Sequence, residues 1–118
     1  MSEINEEISG QATQFSKLLD VAMSAGVRDG RMVSYARLTK LSEEAGELSA
    51  AVLRNMSHNI LKEDGTVTRE EVGQHILSLA VTVLAFYEHW TNNQETVMDD
   101  LREHMEATLM WAREQMGA

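Results

Sequence analysis

No proline occurs anywhere in the 118 residues of this chain. Proline fixes φ and lacks a backbone N–H, so turn-rich β folds draw on it, whereas long helices exclude it from their interiors. Its complete absence directs the reading toward an all-α fold. The frequent Ala, Leu, Glu, Met and Gln, all good helix formers, point the same way. The length suits one domain over 1–118, and no repeat, low-complexity tract or linker divides it. Apolar residues make up 43%, enough for a core but modest for a monomer of this size.

Periodicity and punctuation predict four helices. The first runs from about Glu3 to Ala25, with Ile4, Ile8, Ala12, Phe15, Leu18, Leu19, Ala22 and Met23 as its apolar stripe, Ser2 as N-cap and Gly26 as stop. Gly26 to Val33 reads as a loop. The second runs from about Ser34 to Leu61, with Leu38, Leu41, Ala45, Leu48 and Val52 on one face and the turn signal Glu63-Asp64-Gly65 beyond it. Thr68-Arg69-Glu70-Glu71 matches a capping box for a third helix that continues to about Trp90. The fourth, about Gln94 to Met116, aligns Val97, Leu101, Met105, Thr108, Leu109 and Ala112, and Gly117 lies past its end. Short connections imply a four-helix bundle. From Ile76 to Phe86 the third helix is apolar on nearly every side, more than three neighbours in one small chain easily cover, so the bundle is expected to be completed by oligomerisation as a homodimer or homotetramer.

Net charge is −9, which repels nucleic acid backbones and anionic membranes, so neither is an expected partner. Without cysteine there are no disulfides and no thiolate zinc sites. The polar, acidic first ten residues lack the shape of a signal peptide, and the longest apolar stretch, Ile76 to Tyr87, is interrupted and too short to span a bilayer. A cytoplasmic location is expected.

The chemistry concentrates in Lys40-Leu41-Ser42-Glu43-Glu44-Ala45-Gly46-Glu47-Leu48. Glu44 and Glu47 emerge one turn apart on the same side of a helix, where like charges repel. Glu44 also borders the apolar stripe, and an unpaired carboxylate drawn inward costs several kcal/mol or loses its charge. A divalent cation removes that conflict, since hard Mg²⁺ favours carboxylate oxygens; the plainer alternative is an acidic, solvated helix face. Gly46, costing about 1 kcal/mol relative to alanine inside a helix, suggests close approach by a backbone or a ligand.

Glu70-Glu71-Val72-Gly73-Gln74-His75 opens the third helix with a second acid pair and a second helical glycine. Glu71, Gln74, His75, Ser78 and Thr82 form a polar stripe on an otherwise apolar helix, and it needs partners, such as the carboxylates of the second helix. Capping of the helix start by Glu70 and Glu71 accounts for those acids equally well, though not for Gly73 or the stripe.

Glu43-Glu44-Ala45-Gly46-Glu47 resembles the EExxE motif of the MazG-like all-α nucleoside triphosphate pyrophosphohydrolases, and Glu71-Val72-Gly73-Gln74 sits where that superfamily carries ExxD. The resemblance covers the two central helices and the loop between them. It implies a four-helix MazG-like bundle that hydrolyses a nucleoside triphosphate to monophosphate and pyrophosphate. Glu44, Glu47, Glu71 and Gln74 would be the metal positions for Mg²⁺, or Mn²⁺, with Glu43, Glu44 and Glu47 catalytic and Glu43 supporting the site or activating water. Lys40 and Arg37 are the first candidates for substrate phosphate, with Lys62 and Arg69 behind them, although each is a surface residue by default. Gln74 departs from the family aspartate and removes a charged ligand. The site then works with fewer ions, recruits His75 or Glu70, or has lost catalysis. The alternative function is accordingly a catalytically weak or inactive nucleotide- or protein-binding helical module. His58, His89 and His104 have no metal-ligand spacing, Trp90 and Trp111 are candidates to stack on a base although near helix ends they more often seal a core or subunit contact, and no nucleophilic serine or phosphate-binding glycine loop is apparent.

Overall fold

Helix-forming composition and the absence of proline are realised as four helices: α1 (Glu3–Ser24), α2 (Gly30–Leu61), α3 (Arg69–Trp90) and α4 (Val97–Met116). The structure is a computed structural model that describes residues 3–24, 30–61 and 67–117, apart from the side chains of residues 24, 30 and 58–61. Ser2, Gly26, Lys62 and the expected turn at Glu63-Asp64-Gly65 lie outside the described residues. No strand occurs among the described residues. No described helix is long and apolar enough to cross a membrane.

α3 touches each of the other helices, α1 also touches α2 and α4, and α2 and α4 do not meet. α3 is therefore the central helix, as its apolar run predicts. It starts as anticipated, with Thr68 Oγ1 accepting the Glu71 N–H at 3.1 Å. α2 begins at Gly30, inside the expected loop, because Val33 reaches the interior and draws another turn into the helix. α4 begins at Val97 rather than near Gln94: Asn92, Asn93 and Glu95 hold left-handed backbone conformations that reverse the chain first. Gly117, at φ 71°, ends α4.

The interior differs from the stripes read in the sequence. Its apolar members are small: Ala12, Val33, Ala51, Val67, Ala85 and Val97. Its largest fully buried side chains are Arg37, Glu88, Thr13 and Ser16. On α1 the face turned inward is Ser9, Thr13 and Ser16 with Ala12, while Ile4 and Leu18 are exposed. The reason is chemical. Arg37 of α2 and Glu88 of α3 reach α1, where Ser16, Asp20 and Thr13 bond to them, although Arg37 Nε and Nη2 stay buried without partners. On α3, Ile76, Leu77, Val81 and Val83 are exposed, and every residue of α4 from Leu101 to Trp111 is exposed. The chain is also open in shape. Its radius of gyration is 17.7 Å, against about 13.5 Å for a globule of this length.

Candidate functional site

Two polar assemblies occupy the ground between α1, α2 and α3. The first lies midway along α2. A cavity of about 320 Å³ is lined by Phe15 of α1, Lys40 and Glu44 of α2, and Leu77, Ser78, Val81 and Thr82 of α3. Helical spacing places Lys40 and Glu44 one turn apart on the same face, and Lys40 Nζ lies 3.2 Å from Glu44 Oε1. The second oxygen, Glu44 Oε2, is buried and has no hydrogen-bond partner. A carboxylate oxygen left without a donor beside this open cavity calls for a water, a cation, a proton or a donor from a ligand. Ser78 and Thr82, part of the polar stripe read on α3, line the same space.

The other motif residues do not join Glu44 there. Glu43, Glu47, Glu71 and Gln74 are exposed. Among the described residues no group of three or more His, Asp or Glu is placed to hold a metal ion. Glu44 thus keeps one unpartnered oxygen, and the described residues do not assemble the remainder of a metal site around it. Gly46 and Gly73, expected to admit a close neighbour, face open space: a Cβ at either would meet nothing within 4 Å. Arg37, expected at the surface as a phosphate contact, is instead interior at 2% exposure. Its Nη1 donates to Ser16 Oγ at 2.9 Å and Asp20 Oδ1 at 2.9 Å, which ties α2 to α1. His75 is half-buried, and Glu70 and Arg69 are exposed on the first turn of α3.

None of the family models, curated proteins or solved structures compared with this chain matches it.

The second assembly gathers residues that sequence reasoning passed over. Asp20 of α1, Ser34 of α2 and His89 of α3 stand in line: His89 Nδ1 is 2.8 Å from Asp20 Oδ1, and His89 Nε2 is 2.8 Å from Ser34 Oγ. Glu88, next to His89 in sequence, is fully buried. Its Oε2 accepts from Thr13 Oγ1 at 2.9 Å and the Glu95 N–H at 2.9 Å, and its Oε1 accepts the N–H groups of Thr96 at 3.1 Å and Val97 at 2.9 Å. Ser9 Oγ accepts the Met98 N–H at 3.1 Å. One carboxylate therefore caps the positive end of α4 from another helix. Part of this was visible in the sequence: Ser9, Thr13, Ser16 and Asp20 recur at steps of four, three and four, a polar stripe beside the apolar one.

Between α3 and α4 lies a further cavity, about 340 Å³, lined by Val83, Leu84, Tyr87, Val97, Asp100, Leu101 and His104. At its rim the Tyr87 hydroxyl donates to Asp100 Oδ2 at 2.7 Å. Ionising the phenol would lose that bond and set two anions together, so the Tyr87 pKa is raised above its ordinary value.

Proposed function

We propose that the chain is a Mg²⁺-dependent nucleoside triphosphate pyrophosphohydrolase of the MazG-like kind, acting in the cytoplasm as a homodimer or homotetramer. The observation that carries this reading is Glu44 Oε2, buried and partnerless in a cavity that also holds Lys40. A triphosphate brings both the cation that oxygen lacks and the anionic oxygens that Lys40 can bind. Phe15, Leu77 and Val81 give the cavity an apolar wall suited to a base. Glu44 would hold Mg²⁺, with the exposed Glu47 and Glu71 joining it. When bound, the ion supplies charge neutralisation and Lewis acidity at the phosphates. Glu43 takes the proton of the water that attacks the α-phosphate, and the bond to the pyrophosphate oxygen breaks. The net charge of −9 repels a free triphosphate, and a bound cation offsets that repulsion.

Surface area favours the oligomer. One chain exposes 8811 Å², where a compact monomer of this mass exposes about 6,400 Å². The excess is comparable to one partner's share of an obligate interface, roughly 1,000–2,500 Å². A second copy is also what could bring further carboxylates to Glu44.

A second reading is a catalytically weak or inactive nucleotide- or protein-binding helical module. It is favoured by the neutral, exposed Gln74 and by the scattered acids of a single chain. Incubation with a panel of nucleoside triphosphates and Mg²⁺, with products resolved by ion exchange, decides between them. Monophosphate and pyrophosphate, lost in Glu44→Gln, is the expected result. Nucleotide binding without turnover, read by calorimetric titration, selects the second reading, and neither binding nor turnover removes the hydrolase and the nucleotide-binding module, leaving only a protein-binding role.

A further inference from the structure

The line Asp20–His89–Ser34 has the connectivity of an acyl-transfer triad. An ionised carboxylate only accepts hydrogen bonds, so the 2.8 Å contact at Asp20 Oδ1 requires His89 Nδ1 to carry the proton. With that tautomer neutral, Nε2 is an acceptor, and Ser34 Oγ, which also has a further interaction within the chain, lies 2.8 Å away in reach to donate to it. Nucleophile, base and orienting acid are thus in order, each from a different helix. Arg37 fixes Asp20 through the same Oδ1 at 2.9 Å.

The line also meets open space. Ser34 and His89 line a cavity of about 360 Å³ together with Trp90 and Asn92. Trp90 is 70% exposed and offers an aromatic wall. Asn92 contributes a side-chain amide and sits at φ 66°, a left-handed conformation of the kind that gathers at functional sites.

We propose that Ser34, His89 and Asp20 form a second, metal-independent catalytic site that hydrolyses small carboxylic esters with an apolar or aromatic acyl group. Ser34 Oγ attacks the acyl carbon while His89 Nε2 takes its proton. The bond from the acyl carbon to the leaving oxygen breaks, and that oxygen departs with the proton from His89. Water then attacks the Ser34 ester, gives its proton to His89, and releases the acid as Ser34 recovers its own. Ester and water become acid and alcohol, with no other reactant. Ser34 and His89 are the catalytic residues, Asp20 is a positioning residue, and Asn92 is the oxyanion donor.

The full chain is treated with a fluorophosphonate probe in EDTA, digested and mapped by mass. The expected result is one adduct, on Ser34, with labelling slowed about 10²–10⁴-fold in His89→Gln. Hydrolysis of 4-nitrophenyl acetate should fall to the background rate in Ser34→Ala. For Asp20→Asn, labelling of Ser34 should slow and its pH profile should move while the fold is kept, and Asp20→Glu should restore part of the rate, which a purely structural link would not require. No adduct on Ser34 of the unaltered chain overturns the proposal, and so does equal labelling in a folded His89→Gln. EDTA keeps this test independent of the nucleotide reaction.

Discussion

In its first turn α4 gives the backbone N–H groups of Val97 and Met98 to the side chains of Glu88 and Ser9, whereas from Leu101 to Trp111 not one of its residues is covered. The two regions belong to one helix and carry the same amphipathic pattern. They differ in what the rest of the chain places against them. Orphan N–H groups at a helix start must find acceptors, and the chain supplies a buried carboxylate for that purpose. The apolar stripe of Leu101, Met105 and Leu109 has no such supply. A helix aimed so firmly by its start, and only partly covered by its own chain along its length, is suited to lie against a second copy. The polar interior between α1, α2 and α3 serves direction, and the apolar surface is what the proposed association would cover.

Breaking the tethered region should have the largest effect. Glu88→Ala leaves three backbone N–H groups and the Thr13 hydroxyl without their acceptor in the interior. It should cost about 3–5 kcal/mol in urea denaturation. A loss below about 1 kcal/mol would mean that the start of α4 is held by something else.

Next comes the uncovered region. Leu109→Glu puts a charge into the exposed stripe without touching any bond within the chain. It should abolish self-association while leaving the helical circular dichroism spectrum unchanged. Loss of helicity instead would show that Leu109 is covered within its own chain.

Two substitutions of about 1 kcal/mol sharpen the contrast. Glu95 is held at φ 60° with its N–H on Glu88, so Glu95→Gly should raise the thermal midpoint by relieving a left-handed conformation worth about 1 kcal/mol. Gly73→Ala should stabilise α3 by about 1 kcal/mol, because a Cβ there meets nothing within its own chain. Destabilisation would reveal a neighbour or ligand close to Gly73.

The smallest effect is at Tyr87. Its pKa is raised by the bond to Asp100, so the protonated phenol is the form favoured by folding. That contribution is complete below the unfolded value of about 10 and disappears as pH rises through the higher folded value. In an alkaline absorbance titration, Tyr87→Phe should remove the later-ionising tyrosine and its small pH dependence.

Helix number and type were legible in the sequence because proline is absent and local signals such as Thr68 and Gly117 act within a few residues. Which faces turn inward was legible only in part. Periodicity marks apolar stripes, but the inward face of α1 is set by partners 21 and 75 positions away, Arg37 for Ser16 and Glu88 for Thr13. The Glu44 position was legible from its place beside an apolar stripe. The line through Asp20, Ser34 and His89 was not, since three helices supply it and no local spacing connects them.

The exposed apolar surface of one chain predicts self-association. Sedimentation velocity of the unaltered protein across micromolar concentrations tests this most directly. A species of two or four times the 13.2 kDa of one chain is the predicted result. A single species at 13.2 kDa throughout that range would contradict it.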